Sequence, residues 1–123
     1  MMNLGVRVTD RVILYCRENN SWAARVYWTL RIYGHKRVQI LNGGLRKWMN
    51  EGRHVETNQE DTNEEEYNYK FNPEFVSSIE DVHNSIKNGG SNTIIDARPA
   101  TAYNNGPVKG AINLPFSQFF KED

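Results

Sequence analysis

The sequence predicts an α/β fold in which short parallel strands alternate with helices. Residues 12–15 are a short, continuous apolar run, which is typical of a strand buried on both faces of a parallel sheet, and residues 38–41, a run that includes Gln39, are predicted to be a second strand. A segment with apolar residues at helical spacing follows each run. Because strand, helix, strand and helix follow one another, we expect right-handed parallel units.

The first helix is predicted from residue 22 to about residue 33, because Ser21 is a suitable N-cap and Gly34 supplies a left-handed stop. A second helix, from residue 45 to about residue 51, follows a turn at residues 42–44. The apolar positions that predict a buried face on the first helix are Trp22, Ala23, Val26, Tyr27, Leu30 and Tyr33. Core packing is likewise predicted for Trp28 and Trp48.

Residues 58–72 are predicted to be an acidic linker, because they are rich in Asn, Gln, Glu and Asp and contain nothing apolar before Tyr67. A solvated connector is favoured over an acidic binding tail. After it, Ser78 and Asp81 resemble a capping box for a helix over residues 79–88. The remaining predicted elements are a strand at residues 93–96, a short helix with Pro99 at its first position and a strand at residues 111–114.

The net charge of zero conceals an uneven distribution along the chain. Residues 1–57 hold ten Lys and Arg against four Asp and Glu, whereas residues 58–123 hold five against eleven. Such halves should attract each other, within one chain or between two chains. The arginines are spread over strands, helices and turns rather than clustered, so no nucleic-acid partner is expected.

We expect a cytoplasmic protein without a membrane partner, because no apolar stretch approaches the roughly 18 residues of a membrane span. Cys16 is the only cysteine, so no internal disulfide can form. His54 and His83 have no metal-ligand spacing with Cys16, and neither a metal nor a cofactor is expected.

The predicted chemistry lies at Cys16, at the carboxyl end of a parallel strand and before a short loop into a helix. Open α/β sheets bind ligands at this edge. Loop amides and the positive end of the helix would stabilise an anionic sulfur, and Arg17 and Arg25 would strengthen the field. A small buried hydrophobic cysteine is an equal alternative on geometry alone.

The motifs of both halves resemble the rhodanese-type sulfurtransferases. The earlier half is similar to the second half of a rhodanese domain. It contributes Val12-Ile13-Leu14-Tyr15-Cys16-Arg17, Ala23-Ala24-Arg25 with Trp28, Gly34-His35, Val38, Leu41-Asn42-Gly43-Gly44-Leu45 and Trp48. The later half resembles the first half of such a domain, with its Asp-x-Arg and Gly-His-Ile-Pro-Gly-Ala-x-Asn-x-Pro patterns. It contributes Ile95-Asp96-Ala97-Arg98 and Gly106-Pro107-Val108-Lys109-Gly110-Ala111-Ile112-Asn113-Leu114-Pro115.

The resemblance implies a rhodanese-like parallel sheet flanked by helices. Residues 1–57 would be the second half of one domain, 58–72 the acidic linker and 73–123 the first half of the next domain. Cys16 would be the sulfur-carrying cysteine. The residues implied to bind substrate are Arg17, Glu18, Asn19, Asn20, Ser21, Arg25, Asp96 and Arg98. Active loops of the family usually carry glycine, which this loop lacks, and Glu18 would oppose an anion.

The implied function is transfer of a sulfane sulfur from a small donor such as thiosulfate to a thiophilic acceptor through a Cys16 persulfide. A catalytically silent module with a structural or sulfur-carrier role is the alternative, because the amino-terminal domain of tandem members is often silent. Phosphatase chemistry is disfavoured, since position 22 is Trp where those enzymes need Arg.

Each half alone would leave an unpaired sheet edge and an uncovered apolar face. Two assemblies would cover them. In the first, the later half completes the earlier half within one chain, as a circularly permuted domain. In the second, two chains exchange halves reciprocally and form a domain-swapped homodimer.

Overall fold

A computed structural model describes residues 5–18, 20–58 and 63–119. The chain divides into two compact units, Met1–Val76 and Ser77–Asp123. Both units combine helices with one pair of parallel strands, as the α/β prediction requires.

The first unit contains two strand-helix pairs. Its elements are β1 (Val12–Leu14), α1 (Ser21–Ile32), β2 (Val38–Ile40), α2 (Gly44–Asn50) and a 3₁₀ turn at Pro73–Phe75. The two strands are parallel, with Val12 beside Val38. Helix α1 begins one residue earlier than predicted, with Asn20 rather than Ser21 at the N-cap and no side-chain cap hydrogen bond.

The core of the first unit lies between α1 and the sheet. Its buried apolar residues are Ala23, Leu30, Ile32, Val38 and Tyr67. The prediction of core packing is wrong for Trp22, which is 77% exposed, and Trp28 and Trp48 are also exposed. Two three-residue strands offer too little surface to cover the whole apolar side of a twelve-residue helix.

A buried histidine joins the start of the unit to the segment after α2. His35 is fully buried, and its Nδ1 lies 2.9 Å from the Tyr67 hydroxyl. Its Nε2 lies 3.0 Å from the carbonyl oxygen of Asp10. Because a carbonyl only accepts, Nε2 carries the proton, and in the neutral ring Nδ1 accepts from Tyr67. Burial raises the pKa of Tyr67.

The residues that follow Tyr67 bind the carboxyl end of α1. The Asn72 amide donates to the Ile32 carbonyl at 2.7 Å, and the Lys70 amide donates to the Tyr33 carbonyl at 3.3 Å. Helix ends leave such carbonyls without helical partners, so this segment caps the helix. The prediction of a solvated connector is therefore wrong for the buried Tyr67, whereas residues 68–71 are exposed and the assignment of the two halves to separate domains stays a prediction.

The uneven charge does not separate the two units. Residues 1–76 hold eleven Lys and Arg against ten Asp and Glu, and residues 77–123 hold four against five. The acidic residues of the linker belong to the first unit, where they offset its basic residues. The charge difference from which we expected the two halves to attract each other is therefore not a difference between the two units.

The second unit is built from short elements. They are α3 (Ile79–Lys87), β3 (Ile95–Asp96), α4 (Ala100–Asn104), β4 (Ile112–Asn113) and a 3₁₀ helix at Phe116–Phe119. The strands are parallel, with Ile95 beside Ile112. Pro99 is the N-cap of α4 rather than its first helical residue.

The predicted capping box at the start of α3 is confirmed. The Asp81 amide donates to Ser78 Oγ at 3.1 Å, and the Ser78 amide donates to the Asp81 carboxylate at 2.9 Å. These hydrogen bonds lower the pKa of Asp81. Both partners lie within one turn, so the local sequence was sufficient to predict the box.

The second unit buries little of its apolar surface. Ala111 is its only buried apolar residue among those described, and Ile79 is 91% exposed. Ile95 and Ile112 are neighbours across the sheet, and both are more than half exposed. In the described residues, β1 pairs with β2 and β3 pairs with β4, and the circularly permuted assembly stays a prediction.

No helix in the described parts of the chain has the length and apolar character that crossing a bilayer requires.

Tyr67→Phe should lower the free energy of unfolding by about 1–3 kcal/mol, because the buried Nδ1 of His35 loses its donor. Tyr69→Phe is the matched control. Tyr69 is 65% exposed and its ring packs on Tyr33, a contact that Phe retains. The control should change stability by less than about 0.5 kcal/mol in urea unfolding. Equal effects of the two substitutions would contradict the hydrogen bond.

The swapped homodimer stays a prediction, because a second chain could cover the exposed side chains of Ile95 and Ile112. Light scattering should then give twice the mass of one chain, and Ile112→Lys should shift the protein towards the monomer. Lys109→Glu, at an exposed site of the same unit, should leave the mass unchanged. A monomer with cooperative unfolding would exclude the swapped form.

Candidate functional site

Cys16 lies in the turn between β1 and α1, two residues beyond the end of the strand, and is partly buried. Its carbonyl accepts a hydrogen bond of 3.0 Å from the amide of Leu45, at the start of α2. The sulfur therefore stands at the carboxyl edge of the parallel strand pair, where open α/β sheets bind ligands.

Asn20 connects the sulfur to the strand beside it. Cys16 Sγ lies 3.6 Å from Asn20 Oδ1, and Asn20 Nδ2 donates to the carbonyl of Leu41 at 3.1 Å. The Leu41 amide in turn donates to the Leu14 carbonyl at 2.8 Å, one step past the paired strands. Because a carbonyl cannot donate, Leu41 fixes which end of the Asn20 amide faces the sulfur. That end is the oxygen, an acceptor for the thiol proton.

Gly44 allows α2 to approach the cysteine turn closely. A Cβ atom at this position would lie 2.7 Å from the Cys16 carbonyl oxygen and 3.1 Å from Asn20 Oδ1. Its φ of +57° is also a conformation that residues with a side chain rarely adopt. Gly44 is therefore part of the site, a role that the sequence interpretation did not assign to it.

The other predicted loop residues differ in exposure. Arg17 and Glu18 are exposed, and Ser21 is the first residue of α1 and partly buried. The guanidinium of Arg25 lies 5.1 Å from the centre of the Trp28 ring. Asn19 lies outside the described residues. The side chain of Asn20 lies 3.6 Å from the sulfur.

Asp96 and Arg98 belong to the second unit and form an ion pair. Arg98 Nη2 lies 2.6 Å from Asp96 Oδ2, and its Nε donates to Oδ1 at 2.9 Å. The bonds from Arg98 lower the pKa of Asp96 and raise the pKa of Arg98. Arg98 Nη2 also donates to the carbonyl of Gly106 at 3.1 Å. The guanidinium thus ties the loop after β3 to the residues before β4.

Asn113 completes this arrangement. Its Nδ2 donates to the carbonyls of Asp96 and Arg98, at 3.0 and 2.8 Å. Asn113 was not among the predicted site residues, although it is the Asn of the Gly-Ala-x-Asn-x-Pro motif. The motif therefore indicated Asn113 as a candidate site residue. Asp96 and Arg98 border an open groove of about 390 Å³.

The sequence profile of the rhodanese-like domain matches residues 2–51 and 78–123. The chain belongs to the rhodanese-like domain family. It is 35% identical to the 3-mercaptopyruvate sulfurtransferase of Escherichia coli, over 99% of this chain and 47% of that protein. It is 30% identical to the thiosulfate sulfurtransferase of Gallus gallus, over 97% and 45%.

A solved structure shows the same rhodanese fold. The crystal structure of SseA from Escherichia coli, described as a 3-mercaptopyruvate sulfotransferase, superposes with a TM-score of 0.90 at 34% identity. The match covers 98% of this chain and 48% of that one. The family resemblance and the rhodanese-like fold are thus confirmed. The chain spans about half the length of the curated relatives it matches, and the roles of its site residues stay predictions.

Gly44→Ala tests the close approach of α2 to the cysteine turn, with Gly52→Ala as the matched control. Gly52 also has a positive φ, of 68°, but a Cβ there meets nothing within 4 Å. The control should cost about 1–2 kcal/mol of unfolding free energy for its backbone conformation. Gly44→Ala should cost at least about 1 kcal/mol more because of steric overlap. Equal costs in urea unfolding would mean that the approach is not tight.

Proposed function

We propose that this chain carries a sulfane sulfur as a persulfide on Cys16 and passes it from a small anionic donor to a thiophilic acceptor. The supporting observation is the position of Cys16 in a rhodanese-like chain, in a turn at the carboxyl edge of two parallel strands. Relatives named for both thiosulfate and 3-mercaptopyruvate make these the two donors to test.

The proposed reaction has two steps. The Cys16 thiolate attacks the outer sulfur of thiosulfate, the sulfur–sulfur bond of the donor breaks, and sulfite leaves with the bonding electrons. The acceptor then attacks the outer sulfur of the persulfide, and the thiolate is regenerated. With cyanide as acceptor the product is thiocyanate. No external oxidant or reductant is required.

In this proposal, the exposed Arg17 draws the anionic donor to the turn, and the amides near the start of α1 stabilise the negative sulfur. For Asp96 and Arg98, which belong to the second unit, the family resemblance implies a role in substrate binding. The thiol must also be kept reduced, and on that ground we propose that the protein acts in the cytoplasm.

A second candidate is a catalytically silent module with a structural or sulfur-carrier role. Two features of the turn favour it. Asn20 presents an oxygen to the sulfur, and Glu18 adds a negative charge to the loop, so both oppose an anionic nucleophile. A relative from Thermus thermophilus that is named a sulfur carrier protein is 28% identical over 100% of this chain and 50% of that protein.

Mass spectrometry of the intact protein after incubation with thiosulfate or 3-mercaptopyruvate tests the proposal. We expect a mass gain of one sulfur atom that is absent from Cys16→Ser and is removed by cyanide with release of thiocyanate. Ser keeps the size of the side chain, and circular dichroism confirms that both proteins are folded.

The outcomes separate the two candidates. An adduct that cyanide discharges repeatedly supports the transferase. A stable adduct that cyanide does not discharge supports a carrier. No adduct with either donor in a folded protein would contradict sulfur transfer through Cys16 and support a structural module.

A further inference from the structure

We infer that Asn20 is a positioning residue that restrains Cys16 from attacking a donor but no longer opposes the sulfur once it is loaded. The inference deepens the proposed function and depends on it for the loaded state. Its first part concerns the thiol alone, and can be tested without any sulfur transfer.

The Leu41 carbonyl, just beyond the end of β2, determines the orientation of the Asn20 side-chain amide. Nδ2 donates to the carbonyl of Leu41, and the amide of Leu41 is itself bound to Leu14, so this acceptor is held by the backbone. Turning the amide over would place Oδ1 against the Leu41 carbonyl, two acceptors facing each other. The bond to Leu41 therefore keeps Oδ1 towards the sulfur.

This orientation suits the thiol and opposes the thiolate. A thiol has a proton to share with Oδ1, 3.6 Å away, whereas a thiolate would face the negative end of the amide dipole. Nδ2 would serve a thiolate better, but it can reach the sulfur only by giving up its bond to the Leu41 carbonyl, which would keep the Gly44 amide as its donor. One amide cannot satisfy both, so forming the nucleophile costs energy at this position.

Loading moves the charge away from Asn20. In a persulfide, the negative charge resides mainly on the outer sulfur, about 2 Å beyond Sγ along the new bond. Repulsion by Oδ1 falls with that distance. Asn20 therefore penalises the attacking thiolate more than the loaded persulfide, and the site retains sulfur more readily than it acquires it.

Substitutions at Asn20 are suitable tests because its side chain makes no cap hydrogen bond to α1. Asn20→Ala removes the oxygen, and Asn20→Ser replaces it with a hydroxyl that can donate. Asn20→Asp keeps the shape but exchanges Nδ2 for a second oxygen and adds a charge. The readout is the rate of Cys16 alkylation by iodoacetamide at neutral pH.

We expect Asn20→Ala and Asn20→Ser to alkylate several-fold faster than the original chain, and Asn20→Asp at least about fivefold slower. Asn50→Asp, with the same added charge on the exposed end of α2, is the matched control and should change the rate less than about twofold. With thiosulfate, the mass adduct should form faster in Asn20→Ala.

Opposite effects of Ala and Asp separate positioning from a structural role, because mere loosening of the turn would raise both rates. Rates that move in the same direction, or an unchanged rate in both Asn20→Ala and Asn20→Ser, would overturn the inference. If alkylation follows the expected order but no adduct forms with either donor, the restraint on the thiol stands and the proposed sulfur transfer fails.

Discussion

The hydrogen bond from Asn20 to the carbonyl of Leu41 is the interaction on which the site depends, because it joins the turn after β1 to the end of β2. The bond between Leu45 and the Cys16 carbonyl then brings the start of α2 to the same place. Three elements thus converge on the cysteine turn. Gly44 makes this convergence possible, since any side chain there would occupy the space of the cysteine turn.

The small size of the two sheets explains why large apolar side chains remain exposed. A two-stranded sheet has two edges and two faces, and one helix can cover only part of them. Trp22 and Ile112 remain exposed for this reason rather than because of unusual local structure.

Local features and the parallel pairing of β1 with β2 were predictable from the sequence, whereas single side-chain contacts between distant residues were not. The capping box of Ser78 and Asp81 follows from two residues that are three positions apart. The order of strands and helices follows from local runs of apolar residues. The bond between His35 and Tyr67 spans 32 positions, and no local pattern indicates it. The acidic composition before Tyr67 predicted a solvated linker, but one buried aromatic residue was enough to attach the following segment to α1.

The sequence also could not predict the orientation of a side chain within the candidate site. The family motif placed Cys16 and Asn20 in one loop, but it could not say which end of the amide faces the sulfur. That depends on Leu41, which lies 21 positions away and contributes only its backbone carbonyl. A backbone acceptor has the same chemistry in every residue, so its effect on the sulfur cannot be deduced from side-chain identity. If Asn20 restrains the thiol as inferred, the reactivity of Cys16 therefore depends on where the neighbouring strand places a backbone carbonyl.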